Sequence, residues 1–185
     1  MDTDARELMT ELREDHRNMA VVLDLMDSLV EQMEAGKDPD FELFDEMMRY
    51  MTVYPDAVHH PKEDIVYAQL RSKRSDLAED LDHVPDDHND IAHLGSLLRD
   101  EVEAINAGAA VRREKMIEDT SAYILRLRNH MRWEEDDLFK RVDRMLDDEP
   151  HTVDIEELGH IKDPVFEIEN ESGFLRLLAS LRSSA

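Results

Sequence analysis

Histidine and glutamate recur in this chain at positions where a hydrophobe is expected. In His59-His60-Pro61-Lys62-Glu63 and in His130-Met131-Arg132-Trp133-Glu134 a His and a Glu are four residues apart, the spacing that puts both on one helix face. His16 and His88 each interrupt a further apolar series. A carboxylate taken out of water is costly unless it is paired, and a buried imidazole needs a partner at both ring nitrogens. Six such groups in one small core, His16, His59, Glu63, His88, His130 and Glu134, require compensation, and a metal centre supplies it. Four imidazoles to cap individual ions, and two carboxylates each able to bridge through two oxygens, suit two first-row metals held a few Å apart. The chain has no cysteine, so thiolate sites, disulfides and sulfur-ligated clusters are excluded. Iron leads the remaining candidates; zinc tolerates the same donors and manganese accepts the carboxylates.

The elements that must position these groups follow from the apolar spacing. Leu8, Leu12, His16, Met19, Val22/Leu23, Met26, Leu29/Val30 and Met33 step by three or four, which predicts one helix ended by Gly36-Lys37-Asp38-Pro39. The second series is Phe41, Phe44, Met47/Met48, Met51 and Tyr54, then His59, Glu63, Tyr67 and Leu70. Pro55 and Pro61 predict a kink or break near Tyr54, although the period carries past them. A third series runs from Leu77 through His88 to Ile105 and the stop at Asn106-Ala107-Gly108, with Pro85 either bending it or starting it afresh. The fourth runs from Met116 through His130, Glu134 and Leu138 to Met145. Four amphipathic segments of about thirty residues, at most roughly 45 Å long, joined by short turns, predict an all-α fold. Its form is an antiparallel up-down-up-down four-helix bundle over residues 1–148. Residues 149–185 form a short, partly helical C-terminal extension whose apolar run, Phe174 to Leu181, is suited to docking on the bundle or on another subunit of a homo-oligomer.

Composition narrows the function classes. With 22 Lys+Arg against 46 Asp+Glu over 185 residues, the net charge is −24, a field that repels phosphate backbones and anionic bilayers. Neither nucleic acid nor a membrane is expected as a partner. Hydrophobic residues still make up 41% of the chain, so the acidity reads as a solvated shell around a core. The first ten residues lack a basic and apolar leader pattern, and no stretch approaches a membrane span, which makes the cytoplasm the expected location. No Gly-rich phosphate loop or nucleophile elbow is present, which sets aside ATPase, kinase and hydrolase chemistry.

The order His, His-x-x-x-Glu, His, His-x-x-x-Glu over four helices resembles the hemerythrin-like (HHE cation-binding) domains. The segments LREDH (12–16), YPDAVHHPKED (54–64), DDHNDIAHL (86–94) and RNHMRWEEDDLF (128–139) are similar to that family too, so the resemblance covers roughly residues 6–147. It implies a non-haem di-iron site, oxo- or hydroxo-bridged, with His16, His59, His88 and His130 as nitrogen ligands and Glu63 and Glu134 as carboxylate bridges. Oxygen-carrying hemerythrins place two ligating histidines four apart on the third helix, whereas here Val84 and Ala92 stand four from His88. His83 and His93 lie five away, about 140° round a straight helix. Fewer ligands leave more open metal positions, which favours reactivity or sensing over oxygen carriage.

The function implied is binding of, or reaction with, O2, NO or peroxide as sensor, store or redox enzyme, the enzymatic form being a peroxide- or NO-reducing oxidoreductase. The alternative is a structural or partner-binding helical bundle stabilised by an ion such as zinc. Other candidates carry blander readings. His60 points about 100° from His59 and is read as a surface or supporting residue. His83 and His93 are read the same way, and His151 and His160 as ordinary surface residues. Tyr67 and Tyr123, on inward stripes, are placed to donate a hydrogen bond to a metal-bound oxygen species, although core tyrosines with another partner are commoner. The Met series is core filling. Glu135 follows Glu134 directly and would replace it as the bridge if the helix shifted by one residue.

Overall fold

A computed structural model describes residues 5–148, 163, 165, 166 and 173–184. Among these residues the protein is all helical, with no strand. Helix α1 spans Ala5–Glu34, and its predicted stripe is buried from Leu8 to Met33 with His16 in the middle. It ends in a left-handed glycine, Gly36 at φ 76°, where the Lys37 N–H donates to the Gln32 carbonyl. Asp40 then caps α2 (Phe41–Tyr54), its carboxylate accepting from the Glu42 and Leu43 amides. The same glycine device ends α4 (Val84–Asn106) at Gly108, φ 93°, as the sequence predicted for that stop.

The chain does not break near Tyr54. Helical backbone continues from α2 through a π turn, Pro55–His59, into α3 (His60–Lys73). In that turn the His60 N–H donates to the Pro55 carbonyl, five residues back, so the helix takes in one extra residue instead of breaking. A second π turn, Glu134–Leu138, joins α5 (Arg113–Trp133) to α6 (Phe139–Asp148), and there the Phe139 N–H reaches the Glu134 carbonyl. Both π turns fall at the histidine–glutamate positions.

Pro85 starts a helix rather than bending one. Helix α4 runs Val84–Asn106 with Pro85 in its first turn, where a missing N–H costs nothing. Leu77 and Leu81, read as the beginning of this helix, lie instead in two short 3-10 turns, Ser75–Leu77 and Leu81–His83. Between them Asp80 adopts φ 64°, which interrupts any continuous helix there.

Two apolar clusters flank the polar positions. One gathers Met19 to Met33 of α1, Phe44 to Val58, Ile91 to Val102 of α4 and Met116 to Met131 of α5. The other gathers Ala5 to Leu12, Val66 to Leu70, Leu81 with Val84, and Leu138 to Leu146. Each buried Leu, Met or Phe contributes roughly 1.5–3 kcal/mol, so two large hydrophobic bodies grip one polar layer. The order of clusters along the chain reverses from each long helical stretch to the next.

Helix α7 (Leu175–Ser184) packs on α2, with Phe174, Leu177 and Leu178 buried in the first cluster. His151 and His160 lie outside the described residues. No described helix is long and apolar enough to cross a membrane.

Candidate metal centre

The layer between the clusters is built from four helical stretches. Helix α1 supplies Asp15 and His16; the α2–α3 stretch supplies His59, His60, Glu63 and Asp64; α4 supplies Asp87 and His88; and the α5–α6 stretch supplies His130, Glu134 and Glu135. All six positions singled out in the sequence come together, and each is buried. His60, read as a surface or supporting residue, joins them at 4% exposure and so is not on the surface. The cause is the π turn, whose extra residue lets two consecutive side chains face inward. The trace of that turn in the sequence is the five-residue step from Tyr54 to His59, where every neighbouring step is three or four.

The donors form two groups sharing a carboxylate. His60, Glu63, His88 and His130 offer atoms within 4.8 Å of one another, as do His16, His59 and Glu63. Glu63 Oε1 is 3.2 Å from His59 Nε2 and 3.5 Å from His16 Nε2, while its Oε2 is 3.6 Å from His88 Nε2. Glu134 faces both groups as well, with Oε2 3.1 Å from His130 Nε2 and 3.5 Å from His16 Nε2, and Oε1 3.7 Å from His88 Nε2.

Every imidazole is oriented from behind. The Nδ1–H of His16 donates to Glu135 at 3.1 Å, that of His59 to Asp15 at 3.1 Å, that of His88 to Asp64 at 3.0 Å and that of His130 to Asp87 at 2.8 Å. His60 Nδ1 lies 3.4 Å from Asp56. A carboxylate on Nδ1 fixes the tautomer and leaves the Nε2 lone pair free for an ion.

The inward atoms have no such partners. The Nε2 atoms of His16, His59, His60, His88 and His130, both oxygens of Glu63 and Oε2 of Glu134 are buried without a hydrogen bond. Although His59 Nε2 and His130 Nε2 approach Glu63 and Glu134 to 3.2 and 3.1 Å, neither pair is aligned as a hydrogen bond. These atoms converge on shared space rather than on each other. Buried polar atoms left unpaired cost about 1–3 kcal/mol each, so the donor set fits divalent cations with nitrogen and oxygen preference.

Charge gives the same picture. Burial and the facing Glu134 push the Glu63 carboxyl up, but the imidazoles of His59 and His16 outweigh both and hold it below its usual range. Burial likewise raises Glu134, and His130 and its neighbours reverse this to hold it well below. Burial lowers His88 and His130, yet the carboxylates around them raise the two to about 10 and about 9. His60, dominated by burial, is lowered. Without a cation the centre is a cluster of protons and carboxylates in low dielectric, and a cation would take the protons' place.

The remaining candidates fall away from this point. His83 and His93 are exposed. Glu135 is exposed and serves His16 from behind, so Glu134 is the inward carboxylate. The Tyr67 hydroxyl donates to Glu134 Oε1 at 3.0 Å, beside the centre. Tyr123 points elsewhere, toward the Met51 carbonyl. The methionines of α1 and α2 are core.

Residues 7–142 match the family described as the Hemerythrin HHE cation binding domain. No match was found among curated proteins or among solved structures.

Proposed function

We propose a function from the premise that this chain belongs to the hemerythrin HHE cation-binding family: it is a non-haem di-iron protein that binds or reacts with O2, NO or a peroxide. It acts as sensor, store or redox enzyme, the enzymatic form being reduction of peroxide or NO. The observation that carries this reading is the convergence of five free Nε2 atoms and two carboxylates on one sulfur-free, buried space.

In this reading His16 and His59 would hold one ion and His60, His88 and His130 the other, with Glu63 and Glu134 facing both groups of histidines. Bound iron supplies one-electron chemistry and a Lewis-acidic seat for the small molecule. The chain's own residues do the rest. Asp15, Asp56, Asp64, Asp87 and Glu135 keep each imidazole turned inward. Tyr67 holds the Glu134 carboxylate with its O–H, and the two apolar clusters exclude bulk water.

The architecture that accompanies it is an up-down-up-down antiparallel bundle over residues 1–148, with 149–185 as an extension, in a cytoplasmic protein whose partner is a small diatomic or a peroxide. Pairs between α1, with the turn that follows it, and the α5–α6 stretch support the arrangement: Arg6 with Asp147, Arg13 with Asp143, Arg128 with Asp24 and, from the turn, Arg113 with Asp38, one number rising as the other falls.

Anaerobic reconstitution with ferrous iron, followed by exposure to O2, NO and H2O2 with spectra and rates recorded, tests the function. Two irons per chain and a new charge-transfer band are expected. A redox-silent ion with no exchangeable ligand, such as zinc, would move the protein to the structural class.

A further inference from the structure

One side of the centre is connected to a buried network that the metal reading does not use. Of the five carboxylates behind the imidazoles, those on His16, His60, His88 and His130 have side-chain exposures of 48%, 23%, 39% and 22%, whereas Asp15, behind His59, has 7%. The second Asp15 oxygen accepts from the Tyr54 hydroxyl at 3.0 Å. Tyr54 stacks on Tyr50 one turn earlier, with ring centroids 6.0 Å apart and planes 9° from parallel. The Tyr50 hydroxyl in turn donates to Asp163 at 2.7 Å.

Asp163 is fully buried and also accepts from the backbone amides of Val165 and Phe166, at 2.8 and 2.9 Å. Three donors aimed at one carboxyl suit its ionised form. A phenol surrenders an electron readily only where its proton can move at the same time, and this requires a base within hydrogen-bond reach. Tyr50 has such a base. Phe166 and Phe174 pack against the ring at centroid distances of 5.9 and 6.5 Å and shield it from water.

We propose that Tyr50 is a redox-active residue that delivers one electron to the metal pair, by way of Tyr54, Asp15 and His59, when a peroxide reacts there, its phenolic proton passing to Asp163. The inference rests on the di-iron reading above. In the balanced step hydrogen peroxide takes two electrons and two solvent protons, its O–O bond breaks and two waters form. One electron would come from the ferrous ion of a pair that already holds one ferric ion, and one from Tyr50, which would become a neutral radical as Asp163 becomes a neutral acid. Burial raises the Asp163 carboxyl above its usual value, more than the Tyr50 and backbone hydrogen bonds lower it, which strengthens it as the acceptor. The C-terminal segment thereby supplies the base and the cover for an oxidising equivalent led away from the histidines.

The test is freeze-quench EPR of protein loaded anaerobically with iron, poised at one ferrous and one ferric ion per chain, and mixed with hydrogen peroxide, with iron content and peroxide consumption measured on the same samples. A tyrosyl signal that narrows on ring deuteration of tyrosine is expected. It should fall by about tenfold or more in Tyr50→Phe and in Asp163→Asn, with iron content unchanged in both. A signal that survives Tyr50→Phe overturns the relay, as does the lack of a tyrosyl signal in iron-loaded protein that has consumed peroxide. Protein that takes up no iron overturns the metal reading and the relay with it, and the iron assay separates that outcome from the others.

Discussion

The His60 imidazole lies flat on that of His88, ring centroids 4.2 Å apart and planes 12° from parallel, and meets the His130 ring edge-on at 5.9 Å. Three imidazoles from three helical stretches thus share one side of the centre. His60 is brought there by the π turn, on the side where α4 contributes His88.

His60→Ala should therefore weaken metal binding about 10- to 100-fold, with loss of one of the two ions at limiting metal. His93→Ala, on the exposed face of the same neighbourhood, should leave occupancy unchanged. Metal analysis after dialysis against graded chelator concentrations distinguishes the two, and equal occupancy would remove His60 from the ligand set.

Glu134 and Glu135 straddle His16, one at Nε2 and the other at Nδ1. Glu134→Gln removes a shared donor and should abolish the paired centre, read as loss of magnetic coupling between two irons. Glu135→Gln should keep both ions while lowering affinity by about tenfold or somewhat more. The reverse order would mean that the helix sits one residue out of register.

Metal uptake should release protons and strengthen with pH. His88 and His130, raised to about 10 and about 9, carry protons at pH 7 in the metal-free chain, and an ion that takes Nε2 displaces them. Affinity should climb from pH 7 through about 9–10 as these two lose their protons. The metal-free fold moves the other way: a histidine raised above 6.5 stabilises fully below that pH and loses its contribution as pH rises through its folded value. Melting temperatures of metal-free protein should fall between pH 7 and 10. Calorimetry in buffers of different ionisation enthalpy measures the proton release.

Gly95 is a contact point between helices rather than a flexible joint. A Cβ there would come within 3.1 Å of both Thr52 Cγ2 and Tyr123 Cε2, the tyrosine ring being buried. Gly95→Val should cost about 1–3 kcal/mol by overpacking, measured by denaturant unfolding of the metal-free protein.

The sequence carried the centre further than it carried the connections. His59 with Glu63 and His130 with Glu134 were legible because a four-residue step on an apolar stripe has one geometric meaning. His60 was not, since a π turn changes the phase locally and only the five-residue step from Tyr54 to His59 records it. Leu77 and Leu81 kept the apolar period of a helix across a stretch that the left-handed Asp80 interrupts, because period reports burial and not backbone continuity. Asp163 could not be anticipated at all. Its partner Tyr50 is 113 positions away, and a lone acid in a tail has no spacing to betray it.

The acidic exterior has a kinetic corollary. Any molecule reaching the histidines crosses the field of a chain carrying −24, with Asp64, Asp87 and Glu135 at the threshold. Uncharged gases and H2O2 pass without regard to that potential, while azide and superoxide are thinned out before arrival. Added electrolyte shortens the reach of the field to about 8 Å at 0.15 M and about 3 Å at 1 M. Azide should accordingly bind faster in brine and nitric oxide at an unaltered rate, so that the coat acts as a sieve for valence where the interior discriminates by donor chemistry.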